Sequence, residues 1–325
     1  MTKIPKFNVT LPEEYPLVEN VVGKAREFIN KIRTNIKGYA LFKSMGIKPD
    51  KIYLLQSEPG LGKSMAVKAL NNSMNRGVYL RLEQLEQNNL KDTQTEKKVV
   101  KKDIELTDFN LALLEYDIGK YGTAYINMSS RIMQSFFDGV FLYSQLQIPT
   151  VAVLDEVDVL LTSRKSTIQS HSEDRKILET IMKNLQTAHD LDNVYVVMMT
   201  NVPEIMDPAS IRAGRIDKRI TFDLPNSIER KIAFDNSIEQ INKKAKYKVI
   251  RNYDANRLAD LSNGFNYADI FQLTESALRK RVINLIETKK PGIVKAGYIK
   301  QSSLEKEVLS HRKEFKEKEK KSIGF

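Results

Sequence analysis

The chain has no cysteine and no tryptophan, and its only histidines, His171, His189 and His311, are far apart. Without cysteine there is no disulfide framework, no thiolate metal site and no cysteine nucleophile. Scattered imidazoles do not make a zinc site. No run reaches the roughly twenty apolar residues that a membrane span needs. The start, Met1-Thr2-Lys3-Ile4-Pro5-Lys6, lacks the apolar core of a signal peptide. A cytoplasmic protein without a membrane span is therefore expected. With 325 residues, 41% hydrophobic and 29% charged, the chain has room for one large or two modest globular domains.

The formal net charge is +11, which raises the question of a nucleic-acid partner. Much of the excess sits in Lys97-Lys98 with Lys101-Lys102 and in the tail from Lys313 to Lys321. Lysine on such stretches is more often a solvated face than a binding site, so nucleic acid is the lesser reading.

The most informative stretch is Ser57-Glu58-Pro59-Gly60-Leu61-Gly62-Lys63-Ser64. It follows the apolar run Ile52-Tyr53-Leu54-Leu55 and precedes a helical pattern from Met65 to Leu70. Strand, glycine-bearing loop with Lys-Ser, helix is the layout of a phosphate-binding P-loop. Backbone N–H groups of the loop and helix start face the phosphates, Lys63 adds a point charge, and the Ser64 hydroxyl can ligate Mg²⁺. Ser57 departs from the pattern, standing where the first glycine is usual.

About ninety residues on, Val151-Ala152-Val153-Leu154-Asp155-Glu156 reads as a buried strand ending in two carboxylates. Asp155 can hold the Mg²⁺ shell and Glu156 can polarise an attacking water. A further strand, Tyr195-Val196-Val197-Met198-Met199-Thr200, ends at Asn201, whose polar side chain can reach the same water.

Asn201 leads into Pro203-Glu204-Ile205-Met206-Asp207-Pro208-Ala209-Ser210-Ile211-Arg212-Ala213-Gly214-Arg215-Ile216-Asp217. This run resembles the second region of homology of AAA proteins, a subgroup of the AAA+ ATPases. Leu41 to Pro49 before the P-loop strand, and Gly264-Phe265-Asn266-Tyr267-Ala268-Asp269 far beyond it, extend the resemblance from about Tyr39 to about Ala277. It implies a cofactor pair of ATP and Mg²⁺. The ATP-binding set is Glu58, Pro59, Gly60, Leu61, Gly62, Lys63, Ser64 and Met65, with Ala268; the metal set is Ser64 and Asp155. The catalytic set is Glu156 and Asn201 with Arg212 and Arg215, which align with the two arginine fingers that act on a neighbouring subunit's ATP. A site completed in trans implies a homo-oligomeric ring, a hexamer. Gly119-Lys120-Tyr121-Gly122 resembles a pore loop, in which Lys120 and Tyr121 grip a protein target. Here Thr123-Ala124-Tyr125 replaces the usual Gly-Glu-Ser, and Asn266-Tyr267 replaces the usual Ser or Thr followed by Gly.

Strands are expected near 52–56, 77–82, 150–155, 194–200 and 218–224, with helices between, which makes an α/β fold with a parallel sheet and helices on both faces. The resemblance implies the order 5-1-4-3-2. An extended arm over 1–16 precedes a large α/β domain over 17–225, with an insertion at about 83–106. A small all-helical lid follows over 226–300, with helices at 228–244, 255–261 and 267–288. A charged C-terminal helix and tail close the chain over 301–325. The implied function is an ATP-hydrolysing ring that remodels, unfolds or disassembles a protein through a central pore. A nucleic-acid-directed motor or loader and an ATP-controlled assembly scaffold are the competing readings.

Overall fold

The computed structural model describes residues 18–89, 110–118, 129–158, 170–202, 216–245, 248–287 and 299–322. They form two compact units. The first runs to Phe222 and the second begins at Asp223, with Gly60–Gly62 belonging to the second. Among the described residues no helix is long and apolar enough to cross a membrane.

In the first unit, β1 (Ile52–Gln56), β2 (Ala112–Asp117), β3 (Thr150–Asp155), β4 (Val194–Thr200) and β5 (Lys218–Thr221) form one sheet. All pairings are parallel and the order is β2-β3-β4-β1-β5, which is the expected 5-1-4-3-2. The central strands are unbroken apolar runs because both faces are covered: every residue of β4 is buried, as is β3 up to Asp155. β5 lies at an edge and exposes Lys218, Arg219 and Thr221, and the two charges discourage pairing with another chain.

Among the described residues, five helices accompany the sheet: α1 (Gly23–Lys37), α2 (Tyr39–Ser44), α3 (Lys63–Asn89), α4 (Ser129–Gln145) and α5 (Ser170–Asp190). Met133, Phe137 and Val140 of α4 and Ile177, Ile181 and Leu185 of α5 recur at helical spacing. They pack on Ile52, Leu54, Ala152, Leu154, Val196 and Met198. Tyr53 points to the opposite face, since side chains alternate along a strand. There Phe28 of α1 meets its ring edge-on at 5.6 Å. The Asn35 amide donates to the Tyr53 hydroxyl at 2.6 Å, and the Tyr195 hydroxyl donates to the Asn35 carbonyl at 3.1 Å. Burial pushes both phenol pKa values up.

The strand expected near 77–82 is not there. Those residues continue α3, which runs unbroken from Lys63 to Asn89, and the second strand is Ala112–Asp117. Val78-Tyr79-Leu80 is a short apolar run, which helix and strand accommodate equally. No proline or other stop signal separates it from the helix already under way.

Lys51, just before β1, is 1% exposed. Its ammonium donates to the His189 carbonyl at 3.2 Å and to the Leu191 carbonyl, so it satisfies acceptors where α5 ends and leaves no helical partner for them. It also lies 5.3 Å from the centre of the Tyr39 ring. Burial pushes its pKa down, against the pull of Asp192.

The second unit is helical: α6 (Ser227–Lys244), α7 (Ala255–Leu261), α8 (Tyr267–Glu287) and α9 (Gln301–Ser322). Phe234, Ile238, Leu258, Phe265, Ile270, Leu273, Leu304 and Val308 form its core. Asn226 and Glu229 cap α6 reciprocally, and Asn266 and Asp269 do the same at the start of α8.

Replacing Lys51 by methionine keeps the apolar stem and leaves the His189 and Leu191 carbonyls without their donor. Lys51→Met is expected to cost about 1–3 kcal/mol, measured as a lower urea midpoint at unchanged slope. An unchanged midpoint would mean that water serves those carbonyls equally well.

Candidate active site

β1 carries the chain to the carboxyl edge of the sheet, where ligands of open parallel sheets bind. The next six residues turn it into α3. Gly60 and Gly62 have φ of 82° and 92°, a region that residues with a Cβ rarely adopt. α3 is 27 residues long and begins at Lys63. Its first N–H groups lack helical partners, and its N-terminus carries the positive end of the dipole, so this segment favours an anion.

The Lys63 side chain is 7% exposed. Its ammonium donates to the Ser57 hydroxyl at 2.6 Å, the Ser57 carbonyl at 3.0 Å, the Glu58 carbonyl at 3.3 Å and Asn201 Oδ1 at 2.9 Å. Lysine has no acceptor to offer, so the oxygen of the Asn201 amide must face it. Burial pushes the Lys63 pKa down, while Asp155 and Asp158 pull it up. Ser64, next on the helix, is exposed, and Met65 is partly buried.

Asp155 and Glu156 lie at the tip of β3, next to β4 and its tip Asn201. The Glu156 N–H donates to Asp155 Oδ1 at 2.8 Å. Glu156 sits at φ 56°, a left-handed conformation costly for a residue with a side chain. The turn is fixed on both sides: the Val157 N–H donates to the Met199 carbonyl at 3.1 Å, and the Asn201 N–H to Asp158 Oδ1 at 3.1 Å. Burial is the first cause raising the pKa of Asp155, with Asp117 and Asp158 adding to it and the Glu156 N–H and Lys63 opposing. Glu156 is raised too, by burial and then by Asp117, Asp155 and Asp158.

Two carboxylates here escaped the sequence reading. Asp158 holds the backbone of Asn201, and its signal was its place three residues past Asp155 in the same acidic turn. Asp117 is the register partner of Asp155. Its place follows only from the second strand being Ala112–Asp117 rather than 77–82.

Within the second unit, the Ala268 N–H donates to the Gly60 carbonyl at 3.3 Å. A Cβ on Gly60 would come within 2.9 Å of the Asn266 amide nitrogen. Of the remaining expected site residues, Leu61 is buried and Glu58 and Pro59 are exposed. Lys120, Tyr121, Arg212 and Arg215 lie outside the described residues.

Residues 53–224 match the family model of the ATPase family associated with various cellular activities (AAA). The chain belongs to the AAA family. It is thus an AAA ATPase, a nucleotide-binding enzyme. It is 28% identical to the 26S proteasome subunit RPT4 of Saccharomyces cerevisiae over 81% of this chain and 51% of that protein. It is 29% identical to the 26S proteasome regulatory subunit 10B homolog A of Arabidopsis thaliana, over 81% of this chain and 55% of that one. Against the proteasome-activating nucleotidase of Sulfurisphaera tokodaii the identity is 27%, over 77% and 53% respectively. The AAA chain described here spans about half the length of these relatives.

Asp117 is a negative neighbour that raises the pKa of both Asp155 and Glu156. Neutralising it lowers both, so turnover that needs these carboxylates ionised persists to lower pH. Asp117→Asn is expected to move the acid limb of the ATPase pH profile downward. An unmoved limb would separate Asp117 from the chemistry.

Proposed function

We propose that this AAA ATPase couples Mg²⁺-dependent ATP hydrolysis in a homohexameric ring to the remodelling of a protein target. One observation carries the assignment of the site: the buried Lys63 ammonium joins the loop after β1 to Asn201 at the tip of β4, beside the carboxylates of β3. Loop, helix start and lysine together make a donor set suited to phosphates. The exposed Ser64 at the start of α3 and Asp155 at the tip of β3 suit Mg²⁺, which takes a carboxylate or two, substrate phosphates and water rather than a protein cage.

In this reading Glu58 to Met65 and Ala268 contact the nucleotide, and Ser64 and Asp155 hold the ion. Bound Mg²⁺ would neutralise charge on the outer phosphates. Glu156 polarises the attacking water and Asn201 orients it. Arg212 and Arg215 of the adjacent subunit supply positive charge where negative charge develops. Lys120 and Tyr121 line a central channel and grip the target, an aromatic ring being able to hold diverse side chains. The working parts are an ATPase domain over 17–225, a helical lid over 226–300, an arm before them and a charged helix after them. The protein-directed reading is supported by relatives named for the proteasome, one of them as its activator.

Glu156→Gln is expected to bind ATP without turning it over, since the phosphate and ion contacts survive. Arg215→Ala damages the other half of a shared site, so mixing the two inactive proteins should restore part of the ATPase activity. An arginine finger contributes on the order of 10³-fold or more, and a few restored interfaces are therefore measurable. Mixed rings that form and stay inactive would count against a site shared in this way.

Tyr121→Ala is expected to leave basal hydrolysis nearly intact, to abolish stimulation by an unfolded protein and to stop its remodelling. Tyr121→Phe should retain both, and Tyr125→Ala run alongside tests the neighbouring ring. Normal remodelling by Tyr121→Ala would remove Tyr121 as the grip, and stimulation by DNA in place of unfolded protein would favour the nucleic-acid reading.

A further inference from the structure

Lys63 has three N–H protons and four acceptors within 3.3 Å. Three of these could be present in any such loop: two backbone carbonyls and the tip of the neighbouring strand. The fourth, and the nearest at 2.6 Å, is the Ser57 hydroxyl, which exists because serine stands where a glycine is usual. Ser57 is 2% exposed, so water does not replace it. Its own proton is committed to the Glu58 carbonyl at 2.7 Å, which leaves the oxygen's lone pairs for the ammonium. The Ser57 N–H donates to the Thr200 carbonyl at 3.3 Å, fixing the residue against β4.

We propose that Ser57 is a positioning residue for nucleotide binding: its hydroxyl anchors the Lys63 ammonium to the base of the loop. Anchored from below, Lys63 meets an incoming phosphate with the proton it now gives to Asn201, and Asn201 is released toward the water. The inference rests on reading this loop as the nucleotide site.

The experiment measures ADP affinity by calorimetry, steady-state ATPase kinetics, and thermal melting for Ser57→Ala, Ser57→Thr and Lys63→Met. A hydrogen bond to a charged group is a substantial interaction, so Ser57→Ala should weaken ADP binding by about tenfold or more. KM for ATP should rise more than kcat falls, because the interaction serves binding in both ground and transition states. Ser57→Thr, which keeps the hydroxyl, should restore both. Wild-type affinity and an unchanged KM in Ser57→Ala overturn the proposal. So does equal loss in Ser57→Ala and Ser57→Thr with a lowered melting temperature, which would mark a packing role. Wild-type ADP binding by Lys63→Met would instead overturn the reading of the loop itself, and the proposal with it.

Discussion

A buried ammonium needs acceptors on every side, and Lys63 finds them on two different strand ends. Ser57 and Glu58 follow β1, and Asn201 follows β4. β1 and β4 are paired from Ile52↔Val196 to Gln56↔Thr200, so the register of the sheet decides whether these groups meet. Slipping that register by one residue would move the Asn201 oxygen about 3.3 Å along the strand and invert both buried faces. The apolar runs of β1 and β4, buried throughout their lengths apart from Gln56, therefore set the geometry of the site as well as the stability of the unit.

The carboxylate turn depends on the same sheet from the other side. Glu156 adopts a left-handed conformation without being glycine, and such strain persists only where the surroundings over-determine it. Here the Val157 N–H is bound to β4, and Asp158 is bound to the backbone of Asn201. β4 is thus the common support. It orients Asn201 toward Lys63 while holding the turn that presents Asp155 and Glu156. Binding and hydrolysis would be coupled through one rigid element, which is what a preorganised site requires.

The parts of this arrangement that were legible in the sequence are those with a local signature. Gly60, Gly62 and Lys63 announce a loop, an unbroken apolar run ending in Asp155-Glu156 announces a strand tip, and the helices expected over 228–244, 255–261 and 267–288 are found as α6, α7 and α8. The parts that were not legible depend on pairing. Residues 77–82 look alike as strand or helix, and only the course of α3 settles them. The error concealed Asp117, because a register partner of Asp155 can be named only once the right strand is placed. Ser57 was visible as an exception to a pattern, yet a lone residue type does not say whether its hydroxyl is used. That takes the 2.6 Å contact.

Two buried lysines stand at opposite ends of β1, and their surroundings show why only one is suited to work on a ligand. Lys51 donates to carbonyls at the end of α5 and faces the Tyr39 ring. Its partners are backbone groups of a helix terminus and cannot be exchanged without leaving those carbonyls unsatisfied. Lys63 is bound by a loop and by an amide side chain, Asn201, that can rotate away. It also lies among carboxylates that favour its charged form, at the start of a helix that attracts anions. Both lysines are desolvated, and burial lowers both pKa values. What differs is whether a partner can be given up. An ammonium with four acceptors for three protons is over-supplied, and in the proposed reading that surplus would let a phosphate replace Asn201 without leaving the charge unpaired.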